Sequence, residues 1–226
     1  MNIMLVQAFD YAKIPHIALS EIAFSAGLPG NEITNARKFI FPYGYCYRGY
    51  RQFPTYLKSF DISRNRKILL IRDPRDILVS EYFSTAYSHE LPANGLVREE
   101  MLKLRNFARA IGVDKYCLSQ VEVYQRNFEN YRALLDGEIR VYRYEDVVFE
   151  KSKWLADMLS YFEVIIPPAV VENIAAAHDL RPERENPAEH VRQVKPANFR
   201  LHLKPETVEI LNREFKIELK RHGYDT

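Results

Sequence analysis

The sequence is short of cysteine and has almost no charge imbalance, and each shortage removes a class of protein. Cys46 and Cys117 are the only 2 cysteines among 226 residues, and they lack metal-ligand spacing. That excludes a disulfide scaffold and a thiolate zinc site, and it fits a reducing compartment. Lysine and arginine number 32 against 30 aspartates and glutamates, a net charge of +2. A chain that neutralises many nucleic-acid phosphates needs a larger local excess of cations, so no nucleic-acid partner is expected. No apolar run approaches the ~20 residues that span a bilayer. The segment from Met1 to Val6 has no basic leader and soon meets Asp10 and Lys13, unlike a secretion signal. The expectation is a cytoplasmic chain with no membrane insertion. There is no internal repeat and no low-complexity stretch. With 47% hydrophobic and 13% aromatic residues, the chain has enough apolar material for one core, read here as one domain over residues 1–226.

Helix and strand patterns alternate, which predicts an α/β fold with a mainly parallel sheet flanked by helices. Leu5, Ala8, Phe9 and Ala12 recur at helical spacing over residues 1–13, and Ile14 to Leu19 reads as a short strand. Lys67 to Arg72 is an apolar run with a charge at each end, the strongest strand in the sequence. Two helices are expected across 97–136, the second ending at Gly137. A strand follows from Glu138 to Tyr144 with Ile139, Val141 and Tyr142 inward. Lys151 to Phe162 and Pro168 to His178 read as helices, and Arg181 to Ala197 as the longest loop. A last helix starts at Pro205, with Val208, Leu211, Phe215 and Leu219 on one stripe and Gly223 at its end.

The chemistry concentrates in Arg72-Asp73-Pro74-Arg75-Asp76-Ile77-Leu78-Val79-Ser80. Asp73 is placed to cap a helix, Pro74 to open it, and Asp76 to return the cap three residues on. Asp73, Asp76 and Ser80 then share a face. Strand ends of a parallel sheet form the ligand crevice, and a helix N-terminus there attracts anions. Arg72 offers a planar fork to a phosphate and Ser80 a hydroxyl. An equal reading has Arg72 pairing with a neighbouring carboxylate and Ser80 packing within the helix.

This segment resembles the 3'-phosphate motif of sulfotransferases that use 3'-phosphoadenosine 5'-phosphosulfate (PAPS), commonly Arg-Asn-Pro-(Lys/Arg)-Asp-x-x-Val-Ser, with Asp73 as the one departure. Tyr142-Arg143-Tyr144-Glu145-Asp146-Val147 is similar to the family's strand ending in Tyr-Glu-Asp-Leu. His190 to Arg200 resembles its loop Arg-Lys-Gly-x-x-Gly-Asp-Trp-(Lys/Arg), with Arg192 and Arg200 in place. Gln193, Val194, Ala197, Asn198 and Phe199 stand where the family has Lys, Gly, Gly, Asp and Trp. The resemblance implies a P-loop-NTPase-like three-layer domain that binds PAPS and releases 3',5'-ADP, with no metal. It places Arg72, Ser80 and Arg192 on the 3'-phosphate and Tyr144 near the adenine or ribose, although Tyr144 reads equally as core filler.

The family's Pro-Lys-Ser-Gly-Thr-Thr loop, whose amides and lysine hold the 5'-phosphosulfate, has no counterpart before residue 60. Ser25 to Gly30 reads as a turn, and Lys13 lies at the far end of a helix. The domain is therefore expected to be incomplete at its N-terminus, with Met1 inside the helix that such a loop would cap. Two functions stay open at this point: sulfuryl transfer from PAPS to a hydroxyl or amine, and a 3'-phosphoadenosine-binding module impaired in catalysis. A nucleoside kinase of related architecture is disfavoured by the same missing loop. His89, followed by Glu90, is the candidate catalytic base, because Phe41 to Arg51 holds no His or Glu. His16 reads as a strand-end residue beside the site or as a packed core histidine. Arg48, Arg51 and the tyrosines around them are candidates for an acceptor pocket. The acceptor class is a small molecule, a carbohydrate or a lipid.

Overall fold

The computed structural model describes residues 2–27, 38, 40–41, 44–50, 53, 57, 60–132, 138–187, 189 and 192–225. The expected helix stop at Gly137, the stretch from Leu28 to Gly30, the acceptor-pocket candidate Arg51, and His190 and Val191 lie outside the described residues. The chain forms two compact units, each assembled from three segments.

The first unit comprises residues 1–70, 92–97 and 134–180. It holds α1 (Asn2–Tyr11), β1 (His16–Ile17), α2 (Leu19–Ser25), β2 (Cys46–Tyr47), β3 (Lys67–Ile71), β4 (Ile139–Arg143), α6 (Tyr144–Val147), α7 (Lys151–Tyr161) and α8 (Pro168–Ala177). Among the described residues the strands form two pairs. Parallel β1 and β2 align His16 with Cys46 and Ile17 with Tyr47, and β3 is hydrogen-bonded to β4. The core lies between helices. Met4, Leu5, Ala8 and Phe9 of α1 meet Trp154, Leu155, Met158 and Leu159 of α7 and Val171 and Ile174 of α8. Leu155 and Met158 are wholly buried, worth about 1.5–3 kcal/mol each. Tyr142 packs against this core, while Val141 is 39% exposed. Alternation on a strand puts neighbours on opposite faces, so the expectation that Val141 and Tyr142 both point inward is corrected in favour of Tyr142.

The second unit comprises residues 71–91, 98–133 and 181–226. Its helices are α3 (Pro74–Phe83), a π-helical turn (Ser84–Ser88), α4 (Leu96–Ser119), α5 (Val121–Arg132), α9 (Phe199–His202), α10 (Pro205–Glu214) and α11 (Lys216–Arg221). α4 begins in the first unit and is broken at Gly112, whose φ of 75° is glycine territory. The expected single terminal helix is in fact α10 and α11, jointed at Phe215, whose φ and ψ are −102° and 17°. The apolar stripe survives the joint: Leu211, Phe215 and Leu219 are all fully buried with Leu78 and Val79 of α3. Packing of Phe215 against Phe128, with ring centroids 6.1 Å apart, outweighs the small preference for an unbroken helix. Gly223 (φ 68°) ends α11, and the Tyr224 amide closes the turn on the Leu219 carbonyl at 2.9 Å.

Candidate functional site

β3 ends at Ile71, and the next residues set the geometry of the second unit. Asp73 caps α3 as expected, accepting from the Arg75 amide at 2.9 Å. The same carboxylate grips the Arg75 guanidinium, Oδ1 to Nε at 3.0 Å and Oδ2 to Nη2 at 2.7 Å. Arg75 also donates to Asn212 Oδ1 and to the Asp225 carbonyl. Its planar group lies over the Phe199 ring, 4.2 Å from the centroid. An arginine buried to this degree is tolerated because every partner is supplied.

Asp76 does not complete a capping box. Its Oδ1 accepts from the Phe199 amide at 2.8 Å, so the fully buried carboxylate ties α3 to the start of α9. Burial raises the Asp76 pKa, opposed first by the Arg72 charge and then by the Phe199 hydrogen bond. Arg72 Nη2 lies 3.6 Å from Asp76 Oδ2, and Arg72 Nη1 donates to Ser80 Oγ at 3.2 Å. The guanidinium at the strand end and the hydroxyl two turns into the helix therefore converge. The carboxylate pairing and the Ser80 contact are both present.

Arg192 is brought to the same place by the long segment between α8 and α9. It is 6% exposed, and its guanidinium lies over the Phe83 ring at 4.2 Å. It pairs with Glu185 and stands 3.2 Å from His202 Nε2. The Asn198 amide, with its oxygen toward the arginine, accepts from Nη1 at 3.2 Å. Burial, followed by the Arg72 charge, lowers the Arg192 pKa to about 10, so it stays cationic at neutral pH. The two guanidiniums, with Arg72 close enough to lower the Arg192 pKa and a buried carboxylate beside them, form a cluster suited to an anion.

The turn that carries this loop is strained. Ala197, where the family motif has glycine, adopts a φ of 59°, which costs a residue with a Cβ about 1–2 kcal/mol. Ala197→Gly should relieve that, less the glycine's extra chain entropy, for a net gain of about 0.5–1 kcal/mol. A urea unfolding curve measures it; a loss of stability would mean that the Cβ makes a packing contact worth more than the strain.

The structure thus joins Arg72, Ser80 and Arg192 within one unit. His89 belongs to the same unit, just after the π-helical turn, with its amide bonded to the Ser84 carbonyl at 2.7 Å. The wide turn frees carbonyls. Arg105 takes those of Thr85 and His89, and Arg109 Nε takes that of Ala86 at 2.6 Å. Tyr144 belongs to the other unit; half-buried, it opens α6 and accepts from the Val148 amide at 2.9 Å. His16 is also in that unit, and it is not inert. Its Nε2 lies 2.9 Å from Asp10 Oδ1 and its Nδ1 accepts from Arg48 Nε at 3.3 Å. Arg48 also bonds Glu21 at 3.0 Å.

Sequence reasoning missed Glu185, His202 and Phe83. Only Phe83 left a signal: it lies three residues beyond Ser80 and seven beyond Asp76, on the helix face that carries both.

A family model described as "Sulfotransferase domain" matches residues 51–220, a span that includes Arg72, Asp76, Ser80, Glu185, Arg192 and His202. The chain belongs to the sulfotransferase family. Solved structures similar to this sulfotransferase include retinol dehydratase in complex with androsterone and inactive cofactor PAP. That structure is 14% identical with a TM-score of 0.44, covering 96% of this chain and 77% of that one. Another is mouse sulfotransferase SULT7A1 complexed with PAP, 14% identical with a TM-score of 0.41, covering 81% of this chain and 68% of that one. No curated protein sequence matches the chain at a significant level. Among the described residues no helix is long and apolar enough to cross a membrane.

Proposed function

We propose that this sulfotransferase moves a sulfuryl group from PAPS to a hydroxyl or amine on a small-molecule, carbohydrate or lipid acceptor, within a cytoplasmic P-loop-NTPase-like domain spanning residues 1–226. The observation that carries the reading is the 3.2 Å contact between Arg72 Nη1 and Ser80 Oγ, with Arg192 in the same cluster. A ribose 3'-phosphate set between them accepts charge-assisted bonds from both guanidiniums and one from the hydroxyl. The phosphate also relieves the repulsion between the buried Arg192 and the part-buried Arg72, so the residues present fit the group.

The nucleotide supplies the activated sulfuryl group; the chain binds and orients it. Arg72 and Arg192 neutralise the 3'-phosphate and Ser80 fixes its rotation, so that the acceptor oxygen meets the sulfur in line. Tyr144 is assigned to the adenine or ribose on the resemblance alone. His89 takes the acceptor's proton as the general base.

The test is selectivity among nucleotides. At a concentration near 100 Kd, 3',5'-ADP should stabilise the chain by about 2.7 kcal/mol, a rise in Tm of roughly 5–10 °C for a domain of this size. Neither 5'-AMP nor ATP should reproduce it, because neither carries a 3'-phosphate. Equal shifts from all three would defeat the proposal. A module that binds the nucleotide without transferring sulfate predicts the same melts, and is separated from the enzyme by sulfate transfer to an acceptor panel.

A further inference from the structure

The Glu185 carboxylate is the feature of this cluster that phosphate binding does not explain. It is an acid inside an anion site, in contact with Arg192 and 3.2 Å from His202 Nε2. The two partners of the ion pair are unequally held. The Arg192 side chain is 7% exposed and that of Glu185 29%. Arg192 is fixed by the Phe83 ring beneath it and by Asn198 beside it. Glu185 lies on an exposed stretch with no helix or strand among its described residues between Ala177 and Phe199. Moving Glu185 into water frees a solvated group at modest cost, whereas moving Arg192 would strand a buried one.

We propose, on the reading of this pocket as a 3'-phosphate site, that Glu185 stands in for the phosphate in the free chain, and that His202 is a further phosphate-binding residue. An anion that takes the place of the Glu185 carboxylate meets the same two donors, Arg192 Nη1 and His202 Nε2. The edge of the Phe83 ring, 4.7 Å from the His202 ring centroid-to-centroid, holds the imidazole in position for this exchange. Binding then has two parts: Glu185 leaves, and the phosphate enters with a proton on His202. Occupancy by Glu185 lowers the apparent affinity by the fraction of chains whose Arg192 is free.

Among the described residues the charged groups that face His202 are Arg192 and Glu185 from the loop and Asp76 from α3. In the free chain burial and then the Arg192 charge lower the His202 pKa. A phosphate dianion carries more negative charge than the carboxylate it replaces and raises that pKa again. Binding therefore takes up a proton, and affinity for the nucleotide rises as pH falls from 8 toward 6.5, above the phosphate's own second pKa of ~6.

Isothermal titration with 3',5'-ADP tests both parts. Glu185→Gln keeps the shape and removes the charge; it should bind 3',5'-ADP about tenfold more tightly and leave 5'-AMP unchanged. Glu185→Ala should do the same, which guards against a fold defect peculiar to one substitution. His202→Gln should bind about fivefold more weakly and lose the rise toward low pH, a slope that a merely structural histidine would leave intact. Two Glu185 variants that bind no better than wild type, with wild-type binding still dependent on Arg72, overturn this inference alone. A wild type that ignores 3',5'-ADP, or binds it without Arg72, overturns the phosphate reading and this inference with it.

Discussion

Arg72→Ala is expected to abolish stabilisation by 3',5'-ADP and to weaken its binding about 100-fold. The guanidinium supplies at least one charge-assisted bond to the phosphate, and each such bond is worth about 1.5–3 kcal/mol. Its Nη1 also holds the Ser80 hydroxyl at 3.2 Å, so the second ligand loses its orientation when the first is removed. The unliganded protein should survive the change. Asp76 keeps its Phe199 amide bond, and Arg192 is relieved of the Arg72 charge that now helps lower its pKa. Arg72→Lys separates charge from geometry: a point charge retains attraction without the fork, so an intermediate affinity is expected. Titration calorimetry on the three proteins decides the matter, and an alanine variant that binds like wild type would remove the basis for the phosphate assignment.

The largest loss of stability is expected at Asp76. Asp76→Ala deletes the acceptor for the buried Phe199 amide and leaves Arg72 and Arg192 without the carboxylate between their charges. Removing one member of a buried polar set costs about 3–5 kcal/mol, a Tm drop of roughly 6–20 °C. Asp76→Asn should cost much less, about 1 kcal/mol, since it preserves an acceptor. The direction of the Asp76 pKa supports the contrast. Burial outweighs the Arg72 attraction and raises it, so the ionised carboxylate is worse off here than in water and a neutral isostere avoids that penalty. Urea unfolding of both variants measures it; equal losses for Ala and Asn would mean that the charge, and not the hydrogen bond to α9, is what holds the loop.

Much of the site was legible because it is local. The Asp73 cap, Pro74 at the first helical position and the shared face of Asp76 and Ser80 follow from residues within two helical turns. The strand read from Lys67 to Arg72, which ends one residue earlier at Ile71, was legible for the same reason. Asp76 shows where local reading stops. Its position three residues past the cap predicted a return to the helix terminus, yet the structure spends it on the Phe199 amide, 123 residues away. The buried Phe199 amide takes the Asp76 carboxylate that local spacing would have returned to the cap. Val141 and Phe215 tell the same story in the fold. Periodicity marked both as apolar, but burial on β4 went to Tyr142, and the joint at Phe215 answers to Phe128 on a different helix.

From its residues alone, the chain specified a capped helix after the Lys67–Arg72 strand with Asp76 and Ser80 on one face, because caps and helical periodicity act over a few residues. The family motif placed Arg192 on the phosphate by likeness and not by physics. Only the tertiary structure decided that Arg192 is buried on Phe83, that Glu185 occupies it, and that His202 stands beside both. Those contacts depend on how a long irregular segment packs against α3, and no spacing rule encodes such packing.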